Sequence, residues 1–102
     1  MKRRNYTVRM LRTAEDDFTE IVTYIAAQRP EAAEALAQRI EKNLKLLAVN
    51  PHLGRVPNDP SLIELGYRYI VVQNYLIFYV CEERTIFVHR IIHGARDYRG
   101  LL

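Results

Sequence analysis

A chain of 102 residues is sized for one domain, and folding at this length removes roughly 60 to 70% of the unfolded surface from water, enough for a core without staples. Hydrophobic residues make up 49% and charged residues 26%, which excludes a disordered chain, and the longest apolar run, Tyr75 to Cys81, is too short to span a bilayer. The net charge of +3 is uneven: residues 1–12 hold five cations (Lys2, Arg3, Arg4, Arg9, Arg12) and no acid, residues 13–50 four basic against seven acidic groups, residues 51–102 six against five. The basic start suits either phosphate contact or a solvated strand edge, and +3 is too little for strong nucleic-acid binding on charge alone. Asn5, Thr7, Arg9 and Arg12 interrupt any signal-peptide pattern, and the single Cys81 has no thiol to pair with, so a reducing, cytoplasmic location is expected. Cys81 itself reads as a packing residue.

No repeat or linker divides residues 1–102, which read as one domain. Tyr6 to Leu11 alternates weakly and predicts a first strand. Thr13, with Asp16 three residues on, resembles a capping box, and Ala14, Phe18, Ile21, Val22 and Ile25 trace a buried helical face that stops near Arg29. Pro30 opens a second helix with the stripe Ala33, Leu36, Ala37, Ile40, Leu44 and Leu47, ended by Asn50-Pro51. His52 to Ser61, with Gly54, Pro57, Asn58, Asp59 and Pro60, predicts a loop. Three strands follow, Ile63 to Val72, Tyr75 to Glu82 and Thr85 to His93, joined by hairpin-length turns. The order β-α-α-β-β-β predicts an α+β fold: an N-terminal strand, a helical hairpin and a three-stranded antiparallel meander in one twisted sheet, with the hairpin on one face.

The closing stretch Thr85 to Tyr98 holds the candidate chemistry. His89 and His93 share one side of a continuous strand, but their Cα atoms lie roughly 13 Å apart, too far to ligate one zinc. No metal or other cofactor is expected. A metal-independent ribonuclease site needs a base, a cation for the phosphorane charge and a proton donor. His93, Arg96 and Arg68 are candidates, with Tyr67, Tyr69 or Tyr98 as stacking or donating groups. Each has a structural alternative: His93 ends a strand and bonds a backbone carbonyl, Arg96 bridges to Asp97, and strand tyrosines pack. Gly94 reads as a turn residue at positive φ.

Three separated segments, in order, carry a resemblance over nearly the whole chain: Asn50-Pro51-His52-Leu53-Gly54-Arg55, Tyr75-Leu76-Ile77-Phe78-Tyr79 and Ile92-His93-Gly94-Ala95-Arg96-Asp97. Together with the element order they resemble the RelE/ParE superfamily of bacterial type II toxins. The resemblance implies a toxin silenced by a cognate antitoxin, ParD-like and of the ribbon-helix-helix kind, in a heterotetramer or larger. RelE-like members cut messenger RNA on the ribosome with a set of lysines and arginines, whereas ParE-like members poison DNA gyrase. Where RelE proteins place an arginine after Tyr75 this chain has Leu76, their paired lysines shrink to Arg68, and the chain closes on Gly100-Leu101-Leu102; only Arg96 matches. The resemblance is therefore closer to ParE, implying gyrase inhibition by binding, with ribosome-dependent cleavage as the alternative. His93, Arg96 and Arg99 are the expected target-binding residues, and Tyr24, Leu36, Leu46 and Val49 the expected antitoxin contacts.

Overall fold

The computed structural model describes residues 5–102, so Lys2, Arg3 and Arg4 of the basic start lie outside the described residues. In chain order the elements are β1 (Thr7–Met10), α1 (Arg12–Ala26), α2 (Pro30–Val49), α3 (Pro60–Glu64), β2 (Tyr67–Val72), β3 (Tyr75–Glu82) and β4 (Thr85–His93). The strands form one sheet in the order β1-β4-β3-β2. The last three make the expected antiparallel meander, and β1 adds parallel to β4 on its far side. The α+β reading holds, with β3 and β4 at their expected bounds.

Two local expectations fail for physical reasons. The sequence predicts a loop at Asp59, Pro60 and Ser61 and a strand at Ile63, but Asp59 caps a short helix, its Oδ1 accepting the amide hydrogens of Ser61 (2.8 Å) and Leu62 (3.4 Å). A capping aspartate followed by proline at the first helical position is a start signal, and it outweighs the breaker reading of Pro60. The strand begins only at Tyr67, after Gly66 turns the chain at φ 87°. In α1, Thr13 and Asp16 make no capping box: Leu11 is the N-cap without a side-chain bond, and the Thr13 hydroxyl donates to the His89 carbonyl at 2.8 Å.

The hairpin of α1 and α2 covers one face of the sheet. Ala14 of α1 and Leu36, Ile40 and Leu47 of α2 meet Ile70, Val72, Ile77, Tyr79, Ile86, Val88 and Ile91 in the main core. Cys81 is half-buried against this core, and burial pushes its thiol pKa up, which fits packing. The opposite face carries a smaller core of Leu62, Tyr67, Phe78, Val80 and Ile92, with Tyr98, Leu101 and Leu102 folded over it. Along β3 the two cores alternate with the period of two that a strand imposes.

Along β4 the alternation breaks. Ile86 and Val88 face the hairpin, yet the next hairpin-facing residue is Ile91. One extra residue is accommodated by a bulge, where Phe78 pairs with Arg90 and Tyr79 with Val88, leaving His89 unpaired. The expectation that His89 and His93 share a side is therefore wrong. The ring of His89 lies against Tyr67 of the smaller core, whereas that of His93 lies against Tyr75, which packs on the hairpin side.

Tyr79 ties the loop after α2 to the sheet. Its buried hydroxyl donates to the Pro51 carbonyl at 2.8 Å and accepts the Gly54 amide hydrogen at 2.9 Å, and burial raises its pKa and keeps it protonated. Gly54 sits so close that a Cβ there would come within 2.5 Å of the Tyr79 hydroxyl oxygen and 2.9 Å of the Tyr69 carbonyl oxygen. Relief requires backbone movement, so Gly54→Ala is expected to lower the unfolding free energy by about 1 to 3 kcal/mol. Urea unfolding checks this against Gly100→Ala, whose Cβ meets nothing within 4 Å and which leaves the midpoint unchanged.

Candidate functional site

The candidate surface forms where β4 ends. β1 covers β4 only as far as Met10 opposite Val88, so the outer edge of β4 would be bare beyond that point. α1 takes over. The Leu11 amide donates to the Val88 carbonyl (2.9 Å), Thr13 bonds the His89 carbonyl, and Asp17 Oδ2 accepts the Ile91 amide hydrogen at 3.0 Å. Asp17 also takes a two-pronged bond from Arg90, at 2.7 Å from Nε and 3.0 Å from Nη2, and Arg90 Nη1 donates to the Leu101 carbonyl at 3.0 Å. The two residues are 73 positions apart, and no local pattern in the sequence marks the pair.

Past the bulge, His93 is exposed and lies edge-on to Tyr75, the ring centroids 5.4 Å apart at 84°. Its Nδ1 accepts the Ala95 amide hydrogen at 3.1 Å, which places the ring proton of the neutral imidazole on Nε2. The Arg96 amide donates to the His93 carbonyl (3.0 Å), and the Gly94 amide to the Asn74 carbonyl (2.7 Å). Gly94 does not adopt the expected positive φ. Glycine is favoured there by proximity, since a Cβ would lie 3.3 Å from the Asn74 carbonyl oxygen.

His93 and Arg96 line an open cleft of about 230 Å³ together with Tyr75 and with Glu20 and Tyr24 of α1. Tyr24 is 80% exposed on its rim, so an expected antitoxin contact stands beside two expected target contacts. The remaining candidates lie elsewhere. Arg99 forms a mutual pair with Asp97, both side chains largely exposed, beside Asn58 and Pro60; the bond from Arg99 holds the Asp97 carboxyl below its ordinary pKa. The expected Arg96–Asp97 bridge is replaced by this pair.

Arg68 donates to the Gly54 carbonyl at 2.9 Å and pairs in register with Tyr79, four residues along β3 from the Tyr75 that pairs with His93. That separation is roughly 13 Å along the strand, so the three candidate ribonuclease residues do not converge. Tyr67, Tyr69 and Tyr98 belong to the smaller core, the last two with rings 5.5 and 4.8 Å from Phe78. Leu36 is 1% exposed, inside the main core, and so cannot be an antitoxin contact; its row on α2 is the one that faces the sheet. Leu46 and Val49 are exposed on α2, Leu46 beside Val71 of β2 and away from the cleft. No group of three or more potential metal ligands occurs among the described residues.

The model of the family described as the ParE toxin of the type II toxin–antitoxin system, parDE, matches residues 8–98. The chain belongs to the ParE toxin family. Among solved structures it is similar to a chain of the chromosomal ParDE toxin–antitoxin system from P. aeruginosa, with a TM-score of 0.71 and 22% identity over 86% of this chain and 95% of that one. It is also similar to a chain of the toxin–antitoxin complex RelBE2 from Mycobacterium tuberculosis, with a TM-score of 0.63 and 21% identity over 93% and 98%. At these identities the two likenesses show the shared fold. Comparison with curated proteins returned no match.

In this ParE-family toxin the first histidine of β4 has a structural place. His89 Nδ1 lies 3.1 Å from the Tyr67 hydroxyl, and burial lowers its pKa, with Glu82 opposing the shift. A neutral Nδ1 accepts that hydroxyl's proton; an imidazolium does not. Below pH about 6.5 the unfolded chain binds a proton that the folded His89 resists, so stability falls as pH drops through that value. His89→Gln is expected to flatten this part of the slope in urea midpoints measured between pH about 7.5 and about 5. Equal slopes in both proteins would show that His89 is not the group responsible.

Proposed function

We propose that this toxin inhibits DNA gyrase by binding, through the exposed end made by His93 and Arg96 with Arg99 nearby, and that it acts in the cytoplasm. Family membership makes the chain the toxin half of a type II system, with a cognate antitoxin as its partner. The antitoxin is taken to be ParD-like, of the ribbon-helix-helix kind, and the complex a heterotetramer or larger.

The observation that carries the gyrase reading is the dispersal of the candidate ribonuclease set. Arg68 is committed to the Gly54 carbonyl, Leu76 packs against the smaller core, and His93 and Arg96 stand at the far end of β3 without them. General acid–base cleavage needs its groups within hydrogen-bond reach of one substrate, whereas a binding surface needs only exposure and complementary charge. Tyr24 on the cleft rim supplies a route to neutralisation, since an antitoxin seated there covers His93 and Arg96 as well.

Purified toxin is expected to inhibit gyrase supercoiling and to accumulate cleaved DNA. His93→Ala and Arg96→Ala are each expected to weaken inhibition at least about tenfold, the loss of one central contact, with an unchanged urea midpoint because both side chains are exposed. Cleavage of ribosome-bound messenger RNA by the same preparation, with gyrase untouched, would overturn the proposal in favour of a RelE-like endoribonuclease.

A further inference from the structure

α2 borders β1 on one side and β2 on the other, and it sorts its charges between them. Glu34, Gln38, Glu41 and Lys45 recur at the three-four spacing of one side, the last two beside β1. Arg39, Lys42, Asn43 and Leu46 recur at the same spacing on the other side. With Val71, Val72 and Gln73 they line an open groove of about 500 Å³. Its lining holds two cations and no acid. Both cations are exposed, and neither forms an ion pair among the described residues. The helix dipole does not account for them, since its pull is confined to the last turn and the last turn of α2 carries no basic residue.

Two amides complete the lining. Asn43 Nδ2 donates to the Arg39 carbonyl at 2.7 Å, which holds that side chain against the helix, and Gln73 is exposed at the turn after β2. Cations and amide donors without a carboxylate suit a dense array of anionic oxygens. The rise of α2 separates Arg39 and Lys42 by about 4.5 Å along its axis, comparable with the ~3.4 Å by which successive phosphates of one strand advance along a duplex. The turn of Gln73 and Asn74 also joins this groove to the His93 and Arg96 surface: the Asn74 carbonyl accepts the Gly94 amide hydrogen at 2.7 Å, and Tyr75 pairs with His93. A target engaged at His93 and Arg96 therefore lies next to the groove.

We propose that the groove between α2 and β2 grips the phosphate backbone of the DNA held by gyrase, Arg39 and Lys42 each meeting a phosphate and Gln73 donating beside them. The proposal rests on the gyrase reading above. A net charge of +3 is too small to hold DNA by itself. Once the toxin is docked, however, the contact is intramolecular, at an effective concentration of about millimolar, and a weak phosphate contact then adds to the grip. Such contacts position the toxin on the duplex without reading its sequence.

Gyrase, a linear double-stranded DNA fragment and purified toxin together test this. The toxin concentration that gives half-maximal DNA cleavage is followed from about 50 to about 200 mM salt, where each phosphate contact contributes a slope of about 0.9 in log concentration against log salt. Arg39→Gln and Lys42→Gln should each flatten that slope by about 1, and the double variant should need at least about tenfold more toxin at the lower salt. Lys45→Gln removes the same charge from the other side of α2 and should leave slope and potency unchanged. Equal flattening by Lys45→Gln would overturn the proposal in favour of an effect of net charge. A benzophenone amino acid at position 42 should crosslink to DNA in the complex of toxin, gyrase and DNA. Crosslinks to gyrase polypeptide alone would overturn it in favour of an acidic protein surface. Unchanged slopes in the Arg39 and Lys42 variants, with gyrase still inhibited, would overturn this proposal and leave the gyrase reading standing. Wild-type toxin without effect on gyrase would sink both.

Discussion

The second half of β4 is held by a helix instead of a strand, and the arrangement at the end of the sheet follows from that substitution. An exposed strand edge carries unpaired amides and carbonyls that must be paired or hydrated. β1 supplies partners only to Val88; from there the Leu11 amide, the Thr13 hydroxyl and the Asp17 carboxylate continue the ladder. Asp17 is the strongest link because it accepts one backbone and two guanidinium donors at once, and charge-assisted, two-pronged bonds exceed neutral ones in strength. Its partner Arg90 passes the restraint on to the Leu101 carbonyl, fixing the segment that closes the smaller core. One carboxylate thus joins α1, β4 and the C-terminal segment.

The bulge beside Asp17 decides where the histidines face. Without the extra residue, Ile91 would turn away from the hairpin and His93 would follow it to the other side of the sheet. With it, His89 joins Tyr67 in a half-buried contact and His93 is delivered beside Tyr75, facing Tyr24 and Glu20 of α1. The cleft is therefore a product of sheet irregularity and helix placement together. Its exposed imidazole and guanidinium suit contact with a partner, and the short turn from Gly94 to Arg96, bonded to Asn74 and to His93 itself, keeps them in place.

Much of this fold was legible in the sequence because it obeys local rules. The hairpin stripes, Pro30 at the start of α2 and the bounds of β3 and β4 follow from apolar periodicity and turn residues. Gly54 was marked as part of a segment, but its crowding against Tyr79 is visible only in three dimensions. The short helix at Pro60 was legible in principle, since Asp59-Pro60 is a start signal that the neighbouring breakers obscured. Leu36 shows a stripe being read twice: it belongs to the row of Ala33, Ile40 and Leu47, and a residue in the middle of that row is buried. What sequence reasoning missed is non-local. A bulge leaves the count of apolar residues nearly unchanged, and the Asp17–Arg90 pair spans the chain from its first helix to its last strand.

The end of the sheet depends on Asp17 and Arg90 acting as one unit. A double-mutant cycle of Asp17→Ala and Arg90→Ala, read by urea unfolding, measures their coupling directly. The two-pronged, mostly buried geometry, with side-chain exposures of 22% for Arg90 and 14% for Asp17, predicts a coupling of about 1 to 2 kcal/mol. Additive losses, with no coupling beyond error, would contradict the claim that this pair holds the end of the sheet together.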